Sequence, residues 1–196
     1  MNILVACEYS GRVRDALIAN GHRAISCDLL PTDVPGPHYQ GDVLDILYLD
    51  WDMLIAHPPC TYLSNSGVRW LHTQKGRWKL MEEGAKFFNT LYNADHIPLI
   101  AIENPVMHGY AQAIINGVMS FTVQPWQFGD NFKKRTCFWT KGLPKLIPTS
   151  KLDGTTAVPE THMTAPGPDR WKKRSTTYPG IAKAIADQWA GKINES

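Results

Sequence analysis

The sequence lacks a long apolar run and any closely spaced pair of cysteines. No stretch approaches the roughly 18 consecutive apolar residues of a membrane-spanning helix, and the first ten residues, MNILVACEYS, have no basic segment ahead of an apolar one. We therefore expect a cytoplasmic protein without membrane partners. Without a CxxC pair, neither a zinc knuckle nor a disulfide framework is predicted, and no metal site is expected. The four cysteines are Cys7, Cys27, Cys60 and Cys137.

The sequence also lacks the GxGxxG loop of dinucleotide-binding proteins, which disfavours a nicotinamide-binding fold. Its net charge is only +2, so charge alone does not predict binding to nucleic acid. With 43% hydrophobic and 19% charged residues, the chain has the composition of an ordinary globular protein. Its 196 residues suit one core, and we expect a single domain over residues 1–196.

Short apolar runs alternate with segments of helical periodicity along most of the chain. The runs NILVAC, RAISCDL, DMLIAH and IPLIAIENP are typical of buried strands. Helical spacing follows the first run and recurs at DVLDILYL, from Trp70 to Asn93, and at PGIAKAIADQWA. Residues 143–173 are rich in Pro, Thr, Gly and Lys and predict an extended loop or small insertion. The alternation indicates an α/β fold with a doubly wound, mostly parallel sheet, whose ligands bind beyond the carboxyl ends of the strands.

The first strands end in residues suited to a nucleoside ligand. In CEYSGRVRDAL the free N–H groups of a helix start favour an anion such as a carboxylate, although a tight turn without ligand fits equally well. This loop supplies Glu8, Ser10 and Gly11. Asp28 ends the second strand, where a ribose-binding acid sits in nucleoside-binding folds, but it can also cap a helix. Asp42 can contact an adenine amino group or cap the next helix.

The segment DMLIAHPPCTYLSNSG is the most specific feature of the chain. Pro58 and Pro59 stiffen the turn after a buried strand and remove two backbone donors, which fixes the direction of the Cys60 thiol. Cysteine is intrinsically nucleophilic, and its pKa falls beside a cation or a helix end, so Cys60 is a candidate covalent catalyst. A small buried thiol is the alternative, which we favour for the other three cysteines because they lie within apolar runs.

Two further segments carry polar groups toward the same edge. In IAIENP, Glu103 and Asn104 follow a buried strand. With its pKa raised by burial, Glu103 would share a proton with a ring nitrogen; otherwise it anchors the structure through hydrogen bonds. In FGDNFKKRTCFW, Lys133 and Arg135 alternate at strand spacing and so share a face, where they can hold a phosphate, a base oxygen or a carboxylate. Solvated surface charge is the alternative, above all for Lys133.

Taken in this order, the motifs resemble those of the DNA cytosine-5 methyltransferase family, and the resemblance extends from the amino terminus to Trp189. The order of the motifs carries the resemblance more than any one of them. The closing motif is similar to STTYPGIAKAIADQW. The other matching positions are Ser10 and Gly11 for the glycine-rich first motif, Asp28 for the ribose acid, Asp42 for the adenine contact, Pro58-Pro59-Cys60 for the nucleophile loop, Glu103-Asn104 for the Glu-Asn-Val motif, and Asn131, Lys133 and Arg135 for the Gln-x-Arg-x-Arg motif.

The resemblance implies a Rossmann-like fold of the class I S-adenosylmethionine-dependent methyltransferase type, with S-adenosylmethionine as cofactor. It implies that Cys60 adds to carbon 6 of cytosine, that Glu103 supports protonation of the adjacent ring nitrogen, and that Arg135 helps to hold the base. Methyl transfer to carbon 5 and elimination then follow. The further residues implied are Glu8, Pro58 and Tyr178 at the cofactor, and Pro59, Ser64, Asn104 and Lys133 at the substrate.

The chain departs from the family's pattern at several points. CEYSG stands in place of the usual aromatic and repeated glycines, and Pro105 replaces the valine after Glu-Asn. Residues 143–174 form a loop-rich insertion where the family has a large target-recognition region, so little surface remains for reading duplex DNA and flipping a base. This insertion carries a basic cluster that can contact a phosphate backbone or stack on a base, unless it is a solvated loop. The cluster comprises His162, Arg170, Trp171, Lys172, Lys173 and Arg174.

Three functions therefore stay open. The first is methylation of duplex DNA with little sequence specificity. The second applies the same chemistry to single-stranded DNA or a free cytosine nucleotide, neither of which requires base flipping. The third is a non-catalytic module that binds cofactor or nucleic acid, against which the nucleophile beside an acid argues. Compact chains of this kind resemble those carried by bacteriophages, in which case the cytoplasm is that of the host cell.

Overall fold

The computed structural model describes residues 1–159, 167 and 170–193, with the side chains of Trp171 and Lys173 left out. Seven strands form one sheet in the order β3-β2-β1-β4-β5-β7-β6. Strands β1 to β5 pair in parallel, whereas β7 runs antiparallel to both β5 and β6. The strands are β1 Asn2–Ala6, β2 Arg23–Asp28, β3 His38–Gln40, β4 Met53–Ala56, β5 Leu99–Pro105, β6 Phe121–Val123 and β7 Thr136–Lys141.

Helices cover both faces of this sheet. The α-helices are α1 Arg12–Ala19, α2 Trp70–Thr73, α3 Arg77–Tyr92, α4 Gly109–Gln112, α5 Arg170–Ser175 and α6 Pro179–Ile185, and a π-helical turn, Ala186–Ala190, continues α6. Short 3-10 helices lie at Val43–Asp45, Asn65–Gly67 and Pro125–Phe128. None of the described helices combines the length and the apolar composition needed to cross a membrane.

Each face of the sheet has its own apolar core. One core joins α1 and α6 to side chains such as Val5, Ile55 and Phe138. The other places α3 against side chains such as Leu54 and Ile102. Because successive residues of a strand point to opposite faces, the near-continuous apolar sequences of β1 and β4 supply both cores at once. The predicted α/β fold with a doubly wound, mostly parallel sheet is confirmed.

The helix predicted from Trp70 to Asn93 is wrong in one respect, because it is broken into α2 and α3. Gln74 is extended, and Gly76 has a φ of +78°, a left-handed conformation that glycine adopts without steric penalty. The helix predicted at DVLDILYL is only the 3-10 turn Val43–Asp45. Side-chain periodicity alone does not reveal either interruption, since the apolar positions of α3 keep their spacing up to the break.

The segment predicted as an extended loop contains no helix or strand over residues 143–159. It is nevertheless packed, because Leu146 is buried and the Trp189 indole donates to the Pro144 carbonyl at 2.9 Å. Val158 forms a bridge with Phe132. The end of the predicted loop is wrong, since α5 begins at Arg170. Backbone pairing and buried side chains thus hold this segment against the sheet.

Candidate active site

The carboxyl ends of β1, β2, β4 and β5 meet at one edge of the sheet, and the predicted site residues follow them. His57 continues β4 directly after Ala56, which pairs with Ile102 of β5. The parallel register therefore brings His57 opposite Glu103. Glu8 occupies the corresponding edge position after β1, two residues beyond the strand. The sheet thus brings acids from two separate motifs to a common edge.

Glu8 is buried and belongs to the start of α1. Its carboxylate accepts hydrogen bonds from the backbone N–H of Val13 at 2.7 Å and of Arg14 at 3.3 Å, and from the Ser10 hydroxyl at 3.3 Å. These N–H groups are the free donors that we expected to bind a ligand carboxylate. A carboxylate of the protein itself therefore occupies the helix start, and the predicted contacts of Glu8 and Ser10 with a cofactor stay a prediction.

Gly11 and the buried side chain of Arg14 pack closely against each other within the same loop. Gly11 has a φ of +70°, and a side chain there would place its Cβ 2.3 Å from Nη2 of Arg14. The Arg14 side chain is fully buried and donates to Ser26, Thr32 and the carbonyl of Val34. Gly11 is therefore required by the packing of Arg14, and its expected role beside a cofactor is not needed to explain it.

Asp28 is the last residue of β2, and Asp42 lies two residues beyond the end of the neighbouring strand β3. Asp28 accepts from the backbone N–H of Leu30 at 3.0 Å, and its partial burial raises its pKa although that hydrogen bond opposes the rise. Asp42 caps the 3-10 helix by accepting from the N–H of Leu44 at 3.0 Å, which is the alternative noted from the sequence. Each of the two acids thus has one oxygen bound to a backbone N–H two residues further along the chain.

Cys60 follows the two prolines on a fixed turn. Pro58 is buried, and its carbonyl accepts from the Asn104 side chain at 2.9 Å, which ties the turn to β5. The Cys60 carbonyl accepts from the N–H of Leu63 and of Ser64 at 3.0 and 2.9 Å. Burial and the charge of Glu103 raise the pKa of the Cys60 thiol, whereas nearby cations oppose this rise. The thiol is held in place but is not ionised at neutral pH.

Glu103 forms a buried pair with His57, a residue that the sequence analysis did not single out. Nδ1 of His57 lies 2.8 Å from Oε2 of Glu103, and the two side chains are 9% and 11% exposed. Burial acts to raise the pKa of Glu103, but the His57 hydrogen bond and the charge of Lys134 outweigh it and hold the pKa below the ordinary value. The expectation of a raised pKa is wrong, so Glu103 is ionised and His57 donates from Nδ1.

Lys134, and not Lys133 or Arg135, is the cation at this pair. Lys134 lines a small cavity with His57 and Glu103, and its charge lowers the pKa of both Glu103 and Cys60 from what burial alone would give. Arg135 instead lines a cavity of about 440 Å³ with Cys137 and Trp139, which lie on the opposite face of β7. Arg135 and Glu103 therefore line different cavities, and the implied role of Arg135 at the base stays a prediction.

Lys133 is held by the segment that follows β7. Its ammonium donates to the carbonyl of Thr155 at 3.2 Å, and its N–H donates to the carbonyl of Val158 at 2.8 Å. The strand begins only at Thr136, so Lys133 and Arg135 are not alternating strand residues as predicted. Alternation along the chain does place Lys134 with Thr136 and Phe138, and this parity was the signal that sequence reasoning missed.

The closing helix and the described residues Lys172 and Arg174 of the basic cluster lie near the same edge. Tyr178 lines the small cavity with His57 and Glu103, and the Lys134 ammonium lies 5.8 Å from the centre of its ring. Lys172 contacts the rest of the protein at two points. Its ammonium lies 3.5 Å from Asp33, and its carbonyl accepts a hydrogen bond from the hydroxyl of Tyr9.

The charge of Arg174 reaches Cys60, where it lowers the pKa of the thiol against the effect of burial. Arg170 lies at the start of α5. His162 and the side chains of Trp171 and Lys173 lie outside the described residues. Pro59 is exposed at the Cys60 turn, and the Ser64 hydroxyl pairs with Ser66 at 2.6 Å.

The edge combines a thiol, an ionised carboxylate, an imidazole and an ammonium group. Two buried polar atoms here have no hydrogen-bond partner among the described residues: Nε2 of His57 and Oδ1 of Asn104. Buried polar atoms without partners are rare in proteins and are often found at functional sites. The arrangement can add a nucleophile to an electron-poor ring while a carboxylate and a cation bind polar atoms of that ring.

No family model and no curated protein matches this chain. Three similar solved structures are a protein assigned as a DNA modification methyltransferase within an E. coli prophage, the Entamoeba histolytica methyltransferase EhMeth, and the S. pombe Dnmt2 methyltransferase. Each is 14% identical, with TM-scores of 0.49, 0.48 and 0.43, over 76%, 78% and 84% of this chain. The matches cover 53%, 57% and 54% of those proteins, so this chain spans little more than half of their length. At this distance the likeness does not bear on what this chain does.

Proposed function

We propose that this chain is an S-adenosylmethionine-dependent methyltransferase that acts on carbon 5 of cytosine in DNA through a covalent bond to Cys60. One observation carries the proposal: the Cys60 turn, tied to β5 by Asn104, stands at the same sheet edge as the Glu103–His57 pair and Lys134. A binding module gains nothing from a nucleophile placed beside an acid–base pair.

The residues near β2 and β3 fit the nucleoside part of the cofactor. Asp28 offers acceptors for ribose hydroxyls, and Asp33, Asp42 and Asp45 follow it in the segments after β2 and β3, where residues 24–45 contain neither Lys nor Arg. This charge favours a cationic ligand, and the sulfonium of S-adenosylmethionine is one. The helix start at α1 does not fit the cofactor's carboxylate, because Glu8 occupies its N–H groups. When bound, the cofactor would supply an electrophilic methyl group.

The chain's own residues would act on the cytosine ring. The Cys60 thiolate adds to carbon 6, which makes carbon 5 electron-rich; after carbon 5 is methylated, it loses its proton to solvent, and the thiolate leaves carbon 6. Enclosing the base over Glu103 would add desolvation and raise the pKa of this carboxyl, which would then share a proton with the ring nitrogen. His57 would keep the second carboxylate oxygen oriented through its Nδ1–H donor.

Lys134 connects the acid to the nucleophile. Its ammonium stabilises both the Glu103 carboxylate and the Cys60 thiolate. Because burial raises the pKa of Cys60, thiolate formation limits the rate at neutral pH unless substrate binding moves a cation closer. Activity should accordingly rise with pH through the range where the thiol ionises.

The test is transfer of tritium from labelled S-adenosylmethionine to duplex DNA, single-stranded DNA and cytosine nucleotides, with Cys60→Ala as the variant. Label in a polymer that is lost in Cys60→Ala supports the proposal. Label in the nucleotide alone would assign the same chemistry to a different substrate. No label despite cofactor binding would favour the non-catalytic module and reject the proposal.

A covalent adduct gives an independent measurement. Fluorine at carbon 5 of the target cytosine cannot leave as a proton does, so elimination of the thiolate is blocked after methylation. With cofactor, wild-type protein should remain attached to such an oligonucleotide in a denaturing gel, and Cys60→Ala should not. Attachment that persists in Cys60→Ala would show that another residue is the nucleophile.

A further inference from the structure

The chain segment around and after Cys60 is basic, in contrast to the segment before it. Residues 53–81 contain no Asp or Glu and carry the cations Arg69, Lys75, Arg77 and Lys79. Residues 24–52 show the reverse pattern, with six aspartates and no Lys or Arg. The +2 net charge of the whole chain conceals this division. The cations of residues 53–81 are therefore candidates to neutralise the phosphates of a polyanion.

Large aromatic side chains are exposed on this basic segment and on α4 beside it. Trp70, Trp78 and Tyr110 are 36%, 38% and 47% exposed. The rings of Trp78, Tyr110 and His72 contact one another edge to face, with centroids 5.0 to 5.8 Å apart. The Arg69 guanidinium lies 4.3 Å from the centre of the Trp70 ring. Mutual contact restrains these rings, so little side-chain entropy remains to be lost when a ligand stacks on them.

This surface is continuous with the turn that carries Cys60. Arg77, at the first position of α3, donates to the carbonyl of Thr61 at 3.1 Å and lies 4.8 Å from the ring centre of Tyr62. Tyr110 joins from α4, next to His108, which contacts the carbonyl of Tyr62 at 3.0 Å. A strand lying on the aromatic rings would therefore lie beside the turn that carries Cys60.

We propose that this basic aromatic surface, formed by Arg69, Trp70, His72, Lys75, Trp78 and Tyr110, binds an unpaired nucleic-acid strand beside the Cys60 site. The inference rests on the proposed function for its substrate class. Aromatic rings stack on bases only where the bases are not already stacked within a duplex, and every base offers a flat face, so such binding tolerates any sequence. The surrounding cations neutralise phosphates of the same strand.

The insertion at residues 143–174 leaves little surface for reading duplex DNA, and the basic aromatic surface offers another way to bind nucleic acid. Duplex-reading proteins bury a large polar surface and insert side chains into a groove. This chain has instead a restrained aromatic cluster with cations on both sides, the combination typical of single-strand binding proteins. The occupant is therefore assigned as a strand with splayed bases, and neither a duplex nor an acidic protein segment.

The test is fluorescence anisotropy of a labelled oligonucleotide of about 12 residues that contains no cytosine, with the full chain and without cofactor. Because no target base is present, binding does not depend on the chemistry at Cys60. The double variant Trp70→Ala/Trp78→Ala should weaken single-strand binding about 10- to 100-fold. Lys75→Gln should lower the slope of log affinity against log salt by about 0.7.

Matched controls lie away from the surface. Tyr48 is an exposed aromatic residue stacked on His96, and Lys145 is an exposed lysine beyond β7. Tyr48→Ala and Lys145→Gln should bind the oligonucleotide as the wild type does. A thermal melt checks that each variant folds. If the double variant is unstable, Trp70→Phe is measured as well; because it keeps an aromatic ring, it should retain most of the affinity.

Three outcomes would overturn the inference. These are equal effects in the control variants, duplex binding as tight as single-strand binding, and equal binding of polyglutamate, which would indicate an acidic protein partner. Strand binding through these residues without methyl transfer to any substrate would instead reject the proposed chemistry and leave the surface assignment standing.

Discussion

Two buried carboxylates at the same edge of the sheet serve opposite purposes. Glu8 follows β1 and accepts three hydrogen bonds, two of them from the start of α1. Glu103 lies two residues before the end of β5 and has one hydrogen bond from a side chain among the described residues, from His57, with Lys134 nearby. We infer that a buried acid near a strand end has a structural role when local N–H groups occupy its oxygens. Such an acid is available for chemistry when its partners are themselves titratable.

The largest effect is expected from Glu103→Gln, which removes the charge of the side chain and keeps an oxygen that accepts the hydrogen bond from His57. We expect kcat to fall about 10²- to 10⁴-fold, because an amide cannot share a proton with a ring nitrogen. The free energy of unfolding should also fall at neutral pH, by the contribution that the lowered pKa of Glu103 makes to stability. Steady-state methyl transfer measures the first effect and urea denaturation the second. A variant that loses stability but retains kcat would assign Glu103 the role now given to Glu8.

The pH dependence of stability tests whether Glu103 is ionised in the folded protein. The pKa of Glu103 is lowered in the folded protein, so its contribution to stability is fully present above the ordinary carboxyl pKa of 4.5 and is lost as pH falls through the folded value. In Glu103→Gln the acid limb of a stability–pH curve should therefore be shallower. An unchanged acid limb would contradict the lowered pKa.

The converse change is Glu8→Gln, whose effect should be on folding. Replacing the carboxylate weakens charge-assisted hydrogen bonds to the start of α1 and should lower the free energy of unfolding by about 1–2 kcal/mol. Methyl transfer per folded molecule should stay within about twofold, since none of these bonds involves the reacting atoms. Urea denaturation and active-site titration give the two numbers. A loss of kcat without a loss of stability would place Glu8 in the site after all.

A smaller effect is expected from Lys134→Met, which removes the cation shared by the acid and the nucleophile. The pKa of Cys60, already raised by burial, should rise further, so the ascending limb of kcat/KM against pH should move to more alkaline values. At neutral pH the rate should fall about 3- to 10-fold, since each pKa unit changes the thiolate fraction tenfold. Lys133→Met is the matched control, because its ammonium is bound to Thr155, and an equal shift there would refute the assignment to Lys134.

The layered fold and the motif positions could be predicted from the sequence, because strand periodicity and the Pro58–Pro59 turn are local signals. The partners of the motifs could not. Whether the start of α1 receives a ligand or Glu8 depends on how the loop folds back, and the backbone at Cys7, with a φ of +57°, is part of that path. His57 became visible only through the β4–β5 register, which brings a residue 46 positions away from Glu103 to within hydrogen-bonding distance.

The choice between neighbouring cations shows the same limit on a shorter scale. Lys133, Lys134 and Arg135 are adjacent in the sequence, yet they lie against three different surroundings. A pattern of alternating charges does not state where the strand begins, and a shift of one residue reverses every face. The backbone path into β7, which starts at Thr136, therefore decided that Lys134 lies at the Glu103 cavity and acts on Cys60.

The basic aromatic surface concentrates cations on a molecule whose net charge is only +2. A polyanion would therefore be attracted to this one surface more than to the molecule as a whole. Such a local attraction acts only within about a Debye length, roughly 8 Å at physiological ionic strength. Added salt would thus lower the rate at which strands are captured at this surface.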